Sequence, residues 1–146
     1  MDMTAQGRKA EDLRKLHGGP RVLVLPNAWD VASARVLEEL GFPAIATTSA
    51  GVAFALGYPD GQRISRDEML DVVARIARAV RVPLTADMEA GYGITPKDMA
   101  ETAKAIVAAG AVGLNFEDVT GDTESSQVDS ALQGRRFAPF VRFRLR

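Results

Sequence analysis

The sequence contains no cysteine among its 146 residues, and it has one histidine and one tryptophan. Without cysteine the chain can form neither a disulfide nor a thiolate metal site, and this composition fits a reducing compartment. The net charge is −1, so no overall field attracts nucleic acid or an acidic membrane. No apolar run approaches the length of a membrane span, and the charged N-terminus lacks the apolar core of a secretory signal. We expect a soluble cytoplasmic protein that binds neither nucleic acid nor membranes.

Hydrophobic residues make up 47% of the chain, enough for the packed core of a single domain. Short apolar runs alternate with helical patterns along the sequence. The runs predict strands at 22–25, 44–47, 82–86 and 112–116, the first of them buried on both faces. The patterns between them predict helices over about 4–16, from Asp30 to 40, after the Ser65–Glu68 capping box and from Thr95 to Gly110. We expect residues 48–64 to form a long loop.

This βαβαβαβ order predicts parallel strands joined by helical crossovers. Two architectures have that order: an open doubly wound sheet and a (β/α)₈ barrel, and the periodicity does not choose between them. The first βα turn, Pro26-Asn27-Ala28-Trp29, lacks the glycine-rich phosphate cradle expected of many doubly wound proteins.

Acidic residues recur where the predicted strands end. Asp87 and Glu89 follow the third strand in the segment TADMEAGYG, Glu117 follows the fourth, and Asp60 lies in the long loop after the second. Because the carboxyl ends of parallel strands share one side of the sheet, these four acids are expected to converge there. Asp87 and Glu89 would face the same way if the strand continued through both. Taken singly, each acid could equally be a solvated loop residue or a helix cap.

Four neighbouring carboxylates cannot all be ionised unless a cation compensates them or some of their pKa values rise. Since no cysteine is present and the only histidine is His17, the ligands would be oxygen atoms, which suit Mg²⁺ or Mn²⁺. The Gly91-Tyr92-Gly93 turn would bend the chain away and leave the ion open to a substrate. The sequence therefore predicts a hard-metal site at this end of the sheet.

A second candidate element is the segment Thr47-Thr48-Ser49-Ala50-Gly51-Val52, which follows the second predicted strand. Small hydroxyl residues beside a glycine let backbone amides approach an anionic group closely. The same residue types are ordinary in loops, so this signal is weak by itself.

Three segments together resemble the isocitrate lyase / phosphoenolpyruvate mutase superfamily. They are LPNAWDVASARVLEELGFPAIATTSAGVAFALGYPDG, TADMEAGYG and GLNFED, and they occur in the family's order over about residues 22–118. The resemblance implies a (β/α)₈ barrel that binds Mg²⁺ and acts on small 2-oxo acids or phosphonates. It implies that C–C or P–C bonds are made or broken through a pyruvate enolate that the metal stabilises.

The resemblance also assigns the acids their roles. Asp87 matches the direct metal ligand, and Glu89 replaces a second aspartate that binds mainly through water. Asp60 and Glu117 match two further acids of the family's metal and catalytic site.

For substrate binding, the resemblance points to Thr48, Ser49 and Ala50, with a register uncertain by one residue because Gly51 lies later than the family's glycine. The turn residues Tyr92 and Gly93 belong to the same expected site.

The sequence departs from the family in two places. Residues 119–130 contain no Cys, His or Lys, which argues against isocitrate or methylisocitrate lyase activity and against a true phosphoenolpyruvate mutase. A full barrel needs about 250 residues, so we expect residues 1–133 to form only its N-terminal half, about four βα units. Open strand edges and apolar faces would favour a homo-oligomer, and the half barrel could be an impaired or inactive enzyme.

The segment 134–146 forms an arginine-rich tail with five arginines and no acid. It could bind an acidic partner, or it could result from a reading-frame change after Gln133. The frame change is the favoured interpretation, because the family continues here with an amphipathic helix.

Overall fold

The computed structural model describes residues 4–93 and 95–117. They form an α/β structure with a four-stranded parallel sheet whose order is β1-β2-β3-β4. The strands are β1 Asn27–Ala28, β2 Ile45–Thr47, β3 Leu84–Asp87 and β4 Gly113–Asn115. The helices are α1 Ala5–His17, α2 Val31–Glu39, α3 Ser49–Ala55, α4 Arg66–Ala79 and α5 Pro96–Ala109.

The strand order decides between the two architectures. In a doubly wound sheet the order reverses at a switch point, whereas in a barrel each strand pairs with its neighbours along the chain. All three pairings here join consecutive strands. The fold is therefore the N-terminal half of a (β/α)₈ barrel, and the expectation from the resemblance is confirmed.

The core lies between the sheet and its outer helices. On α4, Met69, Val73 and Ile76 are spaced at a helical period and are fully buried, where they belong to the same apolar cluster as Leu84 and Leu114. The predicted capping box starts this helix, since Ser65 and Glu68 bond each other's backbone amides. Burial of one helix face thus fixes α4 against the sheet.

The first predicted strand is misplaced. Residues 22–25 are not a strand, and Val22 is 92% exposed and Val24 60% exposed. The pairing with β2 begins only at Pro26, whose carbonyl accepts from the Ala46 amide at 2.9 Å. Because β2 is three residues long, residues 22–25 lie before the ladder, and in the described part of the chain no strand covers them. A doubly buried strand was therefore the wrong interpretation of this run.

The predicted long loop contains a helix. Thr48 caps α3 by accepting the Gly51 amide at 3.3 Å, and Val52 and Ala53 are fully buried. A Cβ at Gly51 would lie 2.6 Å from Thr48 Cγ2 and 3.1 Å from Trp29 Cβ, so glycine permits this close packing. The small residues are typical of loops, but their size is what lets the helix approach the strand ends.

Helix α1 packs at the amino-terminal end of the sheet. The Gln6 side chain donates to the carbonyls of Val107 and Ala111 at 2.7 and 3.1 Å, and Lys9 Nζ donates to the Val80 carbonyl at 2.8 Å. These bonds satisfy carbonyls at the ends of α4 and α5 and just beyond them. Leu13 is the buried residue of α1.

Within the described ranges, no helix is long and apolar enough to cross a membrane. The predictions for the loop 119–130, for the boundary at 133/134 and for the arginine-rich tail lie outside the described residues.

Candidate functional site at the carboxyl ends of the strands

Asp87 ends β3 and is held by the two neighbouring strand ends. Its Oδ2 accepts hydrogen bonds from the Ser49 amide at 2.9 Å and from Ser49 Oγ at 2.8 Å. Its Oδ1 accepts from Asn115 Nδ2 at 3.1 Å, and Asn115 is the partner of Asp87 in the β3–β4 register. Thr47 Oγ1 accepts the Asp87 amide at 2.9 Å. The carboxylate is therefore oriented by residues of α3 and β4, and the backbone of Asp87 is held by Thr47 of β2.

Glu89 lies beyond the strand, in a turn. The strand ends at Asp87 and Glu89 has a φ of +48°, so the alternation that would place both acids on one side stops before Glu89. Its side chain is 4% exposed, and Oε1 is buried without a hydrogen-bond partner in the part of the chain that the structure describes. An unsatisfied buried carboxylate oxygen is costly, which makes Glu89 a candidate for a functional group.

The charges of the other three acids act on Glu89. Burial raises the pKa of Glu89 to about 7. The Gln62 backbone amide lowers this pKa, whereas the charges of Asp60, Asp87 and Glu117 raise it. The Glu117 amide donates to the Glu89 carbonyl at 2.7 Å, which ties the end of β4 to this turn. Each of the other three predicted acids thus raises the pKa of Glu89 through its charge.

Asp60 and Glu117 are exposed, unlike Glu89. Asp60 Oδ1 accepts the amide of the next residue, Gly61, at 2.8 Å. Among residues 4–93 and 95–117, no group of three or more His, Asp or Glu side chains is arranged to hold an ion jointly. The donor set nevertheless fits Mg²⁺ in kind, because this ion usually takes one or two carboxylates and keeps several waters. The unpartnered Glu89 oxygen and the surrounding negative charge both favour a cation here.

The Gly91-Tyr92-Gly93 turn requires its glycines. Gly91 has a φ of +89°, and a Cβ there would collide with the Met99 side chain and lie 3.0 Å from Phe116 Cε1. A Cβ at Gly93 would collide with Asp98. The Tyr92 hydroxyl is buried without a hydrogen-bond partner among the described residues, and burial, followed by the charge of Glu89, raises the pKa of Tyr92.

The segment Thr48-Ser49-Ala50 occupies the start of α3. Ser49 offers its amide and hydroxyl to an anion, as the sequence suggested, but the anion in the structure is the Asp87 carboxylate. Thr48 Oγ1 caps the helix, and Ala50 is half-buried on its first turn. The predicted substrate segment therefore lies directly beside the predicted metal ligand.

Asn115 and Gln62 were not identified from the sequence, and Thr47, which belongs to the second candidate segment, was not predicted to contact Asp87. Thr47 and Asn115 contact Asp87, and their signal was present, since both are polar residues at strand ends. Gln62 contacts the turn through its side-chain oxygen, which accepts the Tyr92 amide at 3.2 Å. Nothing near Gln62 in the sequence indicates that contact, which joins residues 30 positions apart.

Parallel strands in chain order, with polar and acidic residues collected at their carboxyl ends, define the class: this is a barrel-type α/β protein of the kind that carries enzyme sites at that end. The sequence profile of the phosphoenolpyruvate phosphomutase family matches residues 13–142. The chain belongs to this family.

Similar solved structures and curated relatives support the same family assignment. A Burkholderia cenocepacia J2315 protein assigned as a lyase/mutase is 47% identical, with a TM-score of 0.79 over 82% of this chain and 43% of its own. Oxaloacetate acetylhydrolase in complex with its product oxalate is 33% identical, with a TM-score of 0.73 over 84% of this chain and 43% of its own. The oxaloacetate decarboxylase of Bradyrhizobium sp. strain BTAi1 is 35% identical over 80% of this chain and 40% of its own.

These names describe a family of lyases and mutases, which confirms the superfamily inferred from the sequence motifs. The chain spans about 40% of the length of the curated relatives it matches.

Proposed function

We propose that this chain carries the metal-binding half of a Mg²⁺- or Mn²⁺-dependent lyase or mutase for small 2-oxo acids or phosphonates. The observation that carries the proposal is Glu89, a buried acid with one unpartnered oxygen, surrounded by the charges of Asp60, Asp87 and Glu117. Such a group is stabilised by a bound cation. The names of the relatives support the reaction class, since they include an oxaloacetate decarboxylase and a phosphoenolpyruvate phosphomutase.

Asp87 would hold the ion directly, with Glu89, Asp60 and Glu117 contributing mainly through water. When bound, the ion supplies a Lewis acid to the carboxylate and 2-oxo oxygens of the substrate, where negative charge develops as a C–C or P–C bond breaks. The hydrogen bonds from Ser49 and Asn115 hold the Asp87 carboxylate in one orientation. Such partners of a metal ligand commonly set its affinity.

Substrate contacts would come from the two segments that flank Asp87. These segments would be Thr48-Ser49-Ala50 at the start of α3 and Tyr92-Gly93 in the turn after β3. The Tyr92 hydroxyl is protonated at neutral pH, as in an ordinary tyrosine, and burial raises its pKa further, so it remains a hydrogen-bond donor. An anionic substrate would thus meet the metal charge beside the small residues of α3, while Ser49 holds the Asp87 carboxylate.

The proposal is tested by titrating the apo protein with Mg²⁺ in a calorimeter. Asp87→Ala is expected to abolish measurable binding, because it removes the direct ligand. Asp71→Ala is the matched control, since Asp71 is an exposed acid on α4, away from the strand ends. Equal binding by the parent and Asp87→Ala would contradict the assignment of Asp87 as the direct metal ligand.

The second candidate is a catalytically impaired or inactive family member. It is favoured by the finding that, among residues 4–93 and 95–117, no group of three or more His, Asp or Glu side chains is arranged to hold an ion jointly. Turnover assays with oxaloacetate, phosphonopyruvate and methylisocitrate separate the two candidates. Mg²⁺-dependent turnover by the purified 146-residue chain would exclude the inactive alternative.

A further inference from the structure

Backbone strain in this molecule is concentrated in one small set of residues. Among the described residues, three that are not glycine have a positive φ: Gln62 at +57°, Glu89 at +48° and Tyr92 at +59°. Left-handed backbone is uncommon for residues that carry a Cβ, and it persists when the surrounding structure holds it in place. Two of the three belong to the turn after β3, whereas Gln62 comes from the separate loop 57–64.

Gln62 contacts the turn that holds the other two residues. The Tyr92 amide donates to Gln62 Oε1 at 3.2 Å. The Gln62 backbone amide also acts on the Glu89 carboxylate and lowers its pKa. The side-chain oxygen of Gln62 therefore bonds the turn directly, and its backbone influences the charge of Glu89.

The rest of the loop is attached to other parts of the protein. Tyr58 OH donates to Glu68 Oε1 at 3.1 Å on the exposed start of α4. Ile64 is 2% exposed and anchors the loop in the core. Between these two points, the contacts of Gln62 are what connect the loop to Glu89 and Tyr92.

We propose that Gln62 latches the loop 57–64 onto the turn after β3, and that it is a positioning residue for Glu89 and Tyr92. The consequence for metal binding rests on the proposed function. The consequence for local opening does not, because it concerns hydrogen bonds that are present without any ligand.

Two substitutions separate the side chain of Gln62 from its backbone strain. Gln62→Gly removes the acceptor oxygen and accepts positive φ freely, whereas Gln62→Met removes the acceptor and keeps both the side-chain length and the strain. If the latch is the side chain, both variants open the turn. If the strained backbone alone mattered, glycine would tighten the turn and methionine would leave it unchanged.

Amide hydrogen exchange in the apo protein provides the measurement. Exchange of the Tyr92 amide measures the loss of its hydrogen bond to Gln62 Oε1. Glu117 reports the position of Glu89, because its amide donates to the Glu89 carbonyl at 2.7 Å. Loss of one hydrogen bond of ordinary strength predicts roughly five- to tenfold faster exchange at both amides in both variants. The Val112 amide, which donates to the Leu84 carbonyl at 2.8 Å at the other end of β3, should exchange as in the parent.

Tyr58→Phe is the matched control, because it removes the side-chain hydrogen bond from the loop to α4 and should leave the Tyr92 and Glu117 amides unaffected. Unchanged exchange at Glu117 in Gln62→Gly and Gln62→Met, or slower exchange in the glycine variant, would overturn the proposal. A uniform rise that includes Val112 would also overturn it, since it would indicate global destabilisation.

A Mg²⁺ titration of the same variants tests the link to the site. A positioning role predicts binding weakened by about tenfold, the effect expected of a partner behind the metal ligands. Unchanged affinity together with faster exchange would overturn the positioning role for the metal site. If the parent itself binds no Mg²⁺, the proposed function fails, and the exchange data alone decide whether Gln62 is a latch.

Discussion

The glutamates at the two ends of the sheet have opposite surroundings. At the amino-terminal end, Glu38 Oε1 accepts the amides of Arg81 and Val82 at 2.6 and 3.1 Å, just before β3 begins. At the carboxyl end, Glu89 is more deeply buried, one of its oxygens has no partner among the described residues, and the charges of three acids raise its pKa. The Glu38 carboxylate stabilises the fold, whereas the buried Glu89 carboxylate destabilises it.

The backbone shows the same contrast. The non-glycine residues with positive φ in the described ranges all lie in the turn after β3 or in the loop bonded to it. At the amino-terminal end, Gln6 and Lys9 satisfy carbonyls of Val80, Val107 and Ala111. In barrel enzymes one end serves stability and the other serves chemistry. The difference between the ends therefore supports the carboxyl end as the candidate site without reference to any motif.

The largest effect is expected from the pH dependence of Glu89. Its folded pKa of about 7 lies above the ordinary value of 4.5, so the folded state binds the proton more tightly than the unfolded state. The resulting stabilisation is fully present below about pH 4.5 and is lost as the pH rises through about 7, a change on the order of 3 kcal/mol. Glu89→Gln should remove this loss. The stability of the variant relative to the parent should therefore be higher at pH 8 than at pH 4.

Urea unfolding with EDTA present, at pH values from 4 to 8, gives the two stability profiles for the Glu89 comparison. Saturating Mg²⁺ should flatten the profile of the parent, because a cation compensates the ionised carboxylate. Parallel profiles for the parent and Glu89→Gln in EDTA would show that Glu89 carries no such cost.

A smaller effect is expected from the turn glycine. Gly91→Ala combines left-handed backbone with a collision against Met99, whereas Gly41→Ala, at a φ of +84°, meets nothing within 4 Å. The backbone cost is common to both, so their difference isolates the packing of the turn and should be about 2 kcal/mol. Chemical denaturation of the two variants measures it. Equal destabilisation would mean that Met99 moves away freely and that the turn is not tightly packed.

The sequence was informative where local pattern and tertiary environment agree. The caps at Asp30, Ser65 and Thr95 and the buried period of α4 were predicted correctly, because each depends on residues within one or two turns of a helix. The run at 22–25 misled because apolar composition does not specify a pairing partner. Helix α3 was missed because its small residues owe their helical state to the Thr48 cap and to close packing against Trp29.

The candidate site divides in the same way. Asp87 and Glu89 were identified from their place after a strand, but their different surroundings could not be, since the strand ends between them. The partners of Asp87 come from β2, α3 and β4, and Gln62 reaches the turn from 30 residues away. Contacts at such separations depend on the register of the strands and on the path of a loop, which no local pattern encodes.

The smallest effect is expected from the stabilising carboxylate. Glu38→Ala leaves the amides of Arg81 and Val82 without their acceptor at the start of β3 and should lower the free energy of unfolding by about 1.5 kcal/mol. Glu39→Ala is the matched control, because Glu39 is the exposed neighbour on the same helix. Urea denaturation at constant pH measures both variants, and Mg²⁺ affinity should remain that of the parent in each. Weakened Mg²⁺ binding in Glu38→Ala would contradict the separation of the two ends, because it would show that the start of β3 also determines the position of Asp87 at its other end.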